Sequence, residues 1–183
     1  ELRECLSQGP VSCQGDRGNQ EDDGRTAALT RVEDSMGMAR RVTEGPRAGW
    51  SQWVDPVPDT FLSLLGPVYS RSIGDRTAMV ELDPRPDHRN RGGALHGGFL
   101  AAFADHAYFS GLFAMGRQEQ AGAVTVDLSM QYLAAAQYGE PLRAEVELLA
   151  ETGRLLFMRM TMLQSNGPVG ASTATLRKVP TPR

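Results

Sequence analysis

At 183 residues with 40% hydrophobic side chains, the chain has the size of one domain and enough apolar surface for a sizeable core. Its 19 basic and 22 acidic residues leave a net charge of −3, which excludes the basic patch of a nucleic-acid binder. Lys178 is the one lysine; an arginine bias this complete reflects the genome rather than the function.

In chain order, residues 1–50 are polar, rich in Gly, Gln, Asp, Glu and Arg, and hold no sustained period of 2 or 3.6. They predict an N-terminal tail or arm, flexible in whole or part, with a short helix available over residues 26–42. Cys5 and Cys13 lie within this stretch. They match no metal spacing and are too few for a disulfide scaffold, so a reduced, cytoplasmic setting is expected. No charged-then-apolar leader opens the sequence. Trp50 and Trp53 begin the apolar anchoring, and residues 51–183 are read as the folded domain.

Residues 59–65 predict a short helix, capped by Asp59 or Thr60 and stopped at Gly66-Pro67. Residues 68–72 and 77–82 predict a strand pair around Gly74-Asp75, broken by Asp83-Pro84-Arg85-Pro86. A long helix follows from Gly97 to about Gly116, apolar on most faces through Phe99, Leu100, Phe103, Ala107, Leu112 and Phe113. Asp105 and His106 at its centre argue against a membrane span, because a mid-bilayer carboxylate is expensive. The rest reads as strand: residues 124–133, then 142–149 with strict alternation, 155–163 apolar on both faces, and 169–176. A strand pair, a helix that needs cover on all sides, and an antiparallel meander predict an α+β architecture. One curved antiparallel sheet wraps the central helix.

Two features carry chemistry. Asp105 is a lone carboxylate in an apolar helix, where an unpaired charge costs several kcal/mol, on the order of a domain's whole margin. Either it turns to water or caps a loop, or it is held for work as a base or nucleophile. The second feature is Gly92-Gly93-Ala94-Leu95-His96-Gly97-Gly98 at the helix start. As a bare glycine loop it is merely flexible. As a helix N-terminus it presents free N–H groups to an anion or a developing oxyanion. Gly97 and Asp105 are eight residues apart, roughly 12 Å along the axis. One substrate atom cannot reach both, so a second subunit must bring its own Asp105. His88, His96 and His106 lack metal-ligand spacing, no metal site or cofactor is expected, and no Gly-x-Ser-x-Gly elbow is present.

Asn90-Arg-Gly-Gly-Ala-Leu-His96-Gly97-Gly98 followed by Asp105, with Thr125-Val126-Asp127 opening the next strand and Tyr132 near its end, resembles the signature of PaaI-like hotdog-fold thioesterases. The resemblance covers about residues 56–179. It implies the hotdog fold, a homodimer or homotetramer with sites across the interface, and hydrolysis of acyl-CoA thioesters. It further implies that Gly97 N–H and Asn90 polarise the thioester carbonyl and that Asp105 activates water or attacks. Thr125 would orient water or the carboxylate, and His96 would hold the loop. Gly98, Arg89, Arg91, Arg154, Arg177 and Lys178 are the candidate contacts to coenzyme A, whose phosphates favour arginine at the rim. The run Ala134-Ala135-Ala136 departs from a proline common in the family. Two other readings remain: a non-catalytic acyl-CoA binder or sensor, and a hotdog dehydratase, whose usual His-and-acid motif is missing.

Overall fold

The computed structural model of the chain describes residues 38–54, 59–120 and 122–178. The expected cysteines, most of the expected tail and most of the helix over residues 26–42 fall outside them. Within them, eight antiparallel strands form one sheet: β1 (Met38–Arg41), β2 (Ser51–Val54), β3 (Val68–Gly74), β4 (Thr77–Leu82), β5 (Val124–Tyr132), β6 (Leu142–Glu151), β7 (Leu155–Gln164) and β8 (Gly167–Arg177). Their order across the sheet is β1-β2-β3-β4-β6-β7-β8-β5, and the sheet curves around one helix, α1 (Gly97–Ala114). This is the wrapped-helix architecture that the sequence predicts.

Only Gly98 of the 18 residues in α1 is exposed. Its faces are covered by Val80 and Leu82 of β4, Leu142, Ala144, Val146 and Leu148 of β6, Leu156, Met158, Met160 and Met162 of β7, and Ala174 and Leu176 of β8. Small residues let the layers close. At Gly111 an added Cβ would lie 2.9 Å from the Val146 methyl, inside contact distance. Tyr108 is fully buried, its hydroxyl donating to Ser172 at 3.1 Å. Burial pushes this phenol up to about 12 despite that bond, so it remains a neutral donor. Gly116, at φ 79°, ends the helix as expected.

Three expectations are corrected. Residues 38–41, expected as the end of a helix, form β1, because β2 offers a free edge and Arg40 reaches across it to Gln52 Oε1 at 2.9 Å. The helix over residues 59–65 is a single 3-10 turn, Phe61–Leu64. Asp59 at φ 61° and Gly66 at φ 79° bound a segment too short to nucleate an α-helix. Finally, β7 is apolar inward, but Arg159 and Thr161 on its outer face are exposed.

Arg47, in the loop between β1 and β2, fastens that hairpin to β4. It bonds the buried Glu81 at 2.6 Å and grips both oxygens of Asp83 at 2.6 and 2.7 Å, with its guanidinium 4.4 Å from the Tyr69 ring centre. Arg143 completes the cluster at 2.7 Å from Glu81. The Arg47 guanidinium holds the Asp83 carboxyl below the usual carboxylate range, and both acids together raise Arg47. Replacing Arg47 by Ala leaves a buried carboxylate with one exposed partner and should cost about 2 kcal/mol in urea unfolding. Asp83's depressed value contributes stability that is present above its unfolded pKa and lost as pH falls through the folded one. The gap between native and R47A should therefore be widest above about pH 5 and narrow below about pH 4. Gly111→Ala gains helix propensity yet should lose about 1–3 kcal/mol by overpacking against Val146, read from the same unfolding curves.

Candidate active site

The segment before α1 is built around His88, which closes a short 3-10 turn, Pro86–His88. Its Nδ1 accepts the Arg85 N–H at 2.9 Å, so the proton sits on Nε2, which donates to the Leu64 carbonyl at 2.8 Å. The ring stacks on Phe99 with centroids 3.9 Å apart, and its carbonyl takes the His96 N–H at 2.8 Å. One buried histidine thus ties the 3-10 turn of residues 61–64 to the start of α1. Asn90 organises the loop between them. Its N–H bonds Ala94 O at 2.8 Å, and its side-chain Oδ1 accepts the Gly92 N–H at 2.8 Å. Gly93 at φ 86° makes the turn. With Oδ1 engaged, the amide NH2 of Asn90 is left to donate on an exposed face.

At the helix start, His96 is the N-cap: its Nδ1 accepts the Gly98 N–H at 2.9 Å. A Cβ on Gly98 would lie 3.0 Å from that ring atom, which explains glycine there. The first intrahelical bond is Leu100 N–H to His96 O. The N–H groups of Gly97 and Phe99 thus find no acceptor among the described residues. The Tyr132 ring lies over Gly97, and its hydroxyl donates to Gly97 O at 3.0 Å. Tyr132 enters the sequence motif without a role. The signal that would have found it is obscured by a strand irregularity near Thr125.

Asp105, half-buried on the flank of α1, accepts the Thr125 hydroxyl at 2.7 Å. Thr125 stands opposite Leu176 of β8 and Asp127 opposite Thr175, so Val126 is an extra, bulged residue. Leu128, Met130 and Tyr132 then stand opposite Ala174, Ser172 and Gly170, inward-facing positions of β8. Bulges re-aim side chains next to functional sites. This one lets Thr125 and Tyr132 share a face, although seven residues apart they would otherwise point oppositely.

The basic candidates fall into two groups. Arg89 and Arg91 are exposed beside Asn90; Arg89 bonds Pro86 O at 2.9 Å and stacks 5.0 Å from the Tyr138 ring centre. Arg154, Arg177 and Lys178 gather at the Thr125 end, with Arg177 opposite both Val124 and Leu155. Lys178 is committed to Glu151 and to Thr152 O, and its ammonium holds the Glu151 carboxyl below the usual range. His106 sits in the core with Ser110 Oγ 3.1 Å from Nε2 and Trp53 edge-on at 5.2 Å. No cluster of three metal-ligating side chains occurs among the described residues.

One long helix gripped by one curved antiparallel sheet, with a glycine-rich loop at its N-terminus and an acid two turns along, defines a hotdog-fold protein. Residues 92–171 match the family model described as the thioesterase superfamily. A curated Pseudomonas aeruginosa protein named as a proposed esterase is 29% identical over 120 residues, 66% of this chain and 88% of that one. Zebrafish thioesterase superfamily member 2 superposes with a TM-score of 0.58 at 26% identity, over 68% of this chain and 89% of that one. An Asn-to-Asp variant of the phenylacetic acid degradation protein PaaI from Thermus thermophilus gives 0.55 at 26%, over 66% and 100%. Residues 92–171 thus carry the thioesterase-superfamily pattern, and the fold is the one seen in hotdog thioesterases such as PaaI. No described helix is long and apolar enough to cross a membrane.

If His96 serves as a cap, its loss has a helix-end signature. His96→Ala should lower stability by about 1 kcal/mol, and His96→Asn, a stronger cap, should restore it in thermal or urea unfolding.

Proposed function

We propose that this chain hydrolyses acyl-CoA thioesters to free acid and coenzyme A, at sites shared between two copies in a homodimer or homotetramer. The observation that carries the reading is the pair of prepared groups on α1. One is a Gly97 N–H with no acceptor among the described residues, at the helix N-terminus; the other is a carboxylate held by Thr125 two turns along. They are roughly 12 Å apart along the axis, too far to act on one carbonyl from a single chain. A second copy supplying its Asp105 to this Gly97 removes the difficulty. The edge of β5, with Val124, Val126 and Tyr132 exposed and no strand beyond it among the described residues, is compatible with such pairing.

In this reading the thioester oxygen accepts from Gly97 N–H and from the Asn90 amide, at the positive end of the helix dipole. Asp105 of the second copy either takes a proton from an attacking water or attacks the carbonyl itself. Negative charge gathers on the oxygen between the two donors. The intermediate then collapses by breaking the C–S bond and releasing the coenzyme A thiolate; where Asp105 itself attacked, water then cleaves the acyl-aspartyl anhydride to free acid and restores the carboxylate. Thr125 fixes the carboxylate oxygen it bonds and leaves the other free for the reaction. His96 contributes by capping the helix, and Gly98 by admitting that cap. Arg89 and Arg91 at one end of the site and Arg154 and Arg177 at the other are the cations for the phosphates. Lys178 is a weaker candidate because Glu151 already holds it. A cytoplasmic setting, where acyl-CoA is made and consumed, belongs to the same reading.

Thiol release from a panel of aromatic and straight-chain acyl-CoAs tests it. The native chain should hydrolyse at least one member, and Asp105→Asn should lose about 100-fold or more in turnover while still folding. Tight binding without thiol release by the native chain would instead mark a carrier or sensor. Undiminished turnover in the variant would remove Asp105 from the mechanism.

A further inference from the structure

Gly97 is the residue on which the oxyanion donor depends, and it is the least restrained by its own chemistry. Without a Cβ its backbone tolerates conformations closed to other residues, so its direction must be fixed from outside. The peptide between Gly97 and Gly98 is held at both ends. Its N–H is taken by His96 Nδ1 at 2.9 Å, and its carbonyl receives the Tyr132 hydroxyl at 3.0 Å. The Tyr132 ring also stands where a Gly97 side chain would begin, its Cε1 and Cζ 3.4 and 3.5 Å from that point. His96 belongs to the loop itself, whereas Tyr132 comes from β5, the same strand whose Thr125 holds Asp105.

We propose that Tyr132 is a positioning residue of the proposed thioesterase site: by its ring against Gly97 and its bond to Gly97 O it holds this residue from β5, and so fixes the place of the Gly97 N–H, which lies on the preceding His96–Gly97 peptide. The inference rests on the thioesterase reading for its catalytic consequence, but the clamp itself is a property of the free protein. Loss of the hydroxyl leaves the Gly97 carbonyl to its intrahelical partner alone and removes the hold from β5, so Gly97 and the peptide before it, which carries its N–H, move more freely. The donor then spreads over a range of directions instead of facing the developing oxyanion. That harms the transition state more than ground-state binding, because the charge that needs the aligned donor exists only there.

The test compares the native chain with Tyr132→Phe, which keeps the ring, and Tyr132→Leu, which removes it. Two quantities are measured: kcat and KM on the best acyl-CoA of the panel, and amide hydrogen exchange at Gly98 in the unliganded protein. In Tyr132→Phe, kcat should fall about tenfold, the size of one ordinary hydrogen bond, with KM within about twofold. Gly98 exchange should quicken at least about threefold, with melting unchanged to within about 2 °C. Tyr132→Leu should be at least as impaired. Unchanged kcat, unchanged Gly98 exchange, or a rise confined to KM would each overturn the proposal, the last by making Tyr132 a substrate contact. If the native chain releases no thiol, the thioesterase reading fails by itself. The exchange arm then decides the clamp, and equal exchange in native and Tyr132→Phe would end it.

Discussion

A helix without a polar stripe cannot rest on the surface of anything; it has to be enclosed. α1 exposes one glycine in its 18 residues, and every other feature of the domain answers to that. A flat sheet covers one side of a helix, whereas a curved one covers most of it, and eight strands give the curvature enough span. The inner positions follow the demand. Gly111 meets Val146 with no room for a Cβ, the small Ala144 and Ala174 are among the core residues of the sheet, and the adaptable Met158, Met160 and Met162 of β7 pack beside them. A polar side chain admitted to such a helix must bring its own partner. Tyr108 has Ser172, His106 has Ser110, and Asp105 has Thr125.

The partner of Asp105 depends on a defect in a strand. Regular alternation from Tyr132 backwards would turn position 125 to the outer face. The extra residue at Val126 resets the phase, so Thr125 meets the carboxylate while Leu128 and Met130 still pack inward. Between them, Thr125 and Tyr132 let one strand touch both prepared groups on α1. The strand is also the sheet's last, with no neighbour on its outer side among the described residues. The part of the molecule that orients the candidate site is therefore the part most open to another chain, and any assembly along that edge would bear on both contacts.

Much of this is legible in the sequence, and the reasons separate cleanly. The strands from β3 onward and α1 declare themselves because period-2 and all-apolar patterns are long there and end at Gly or Pro, as at Gly116 and Pro84. Asp105 stands out because a charge amid Phe103, Ala104, Ala107 and Tyr108 has no cheap explanation. β1 is hidden because Met-Ala-Arg-Arg carries no alternation; its strand form comes from the edge of β2, a tertiary cause. The 3-10 turn of residues 61–64 passes for a longer helix because the sign of the backbone angle at Asp59 is invisible in a sequence. The role of Tyr132 is concealed for a related reason. Counting by twos from Thr125 puts it on the wrong face, and only pairing with β8 reveals the bulge. His96 sits among glycines in the sequence, and the direction of its ring nitrogen, back toward the helix, is visible only in the structure.

The spacing of the two groups on α1 has its own physical logic. A helix N-terminus attracts any nearby acid, since its free N–H groups and the dipole both favour negative charge. An aspartate within the first turn would fold back onto Gly97 and fill the position an oxyanion needs. His96, an acceptor at Nδ1, caps Gly98 without bringing a negative charge and leaves the adjacent donor open. Two turns away, Asp105 lies beyond the reach of that N-terminus and is claimed by Thr125 instead. Donor and acid can both persist on one helix only at such a distance. At that distance they cannot meet on one substrate within one chain, so the arrangement that keeps each group available makes a second copy necessary for the proposed chemistry.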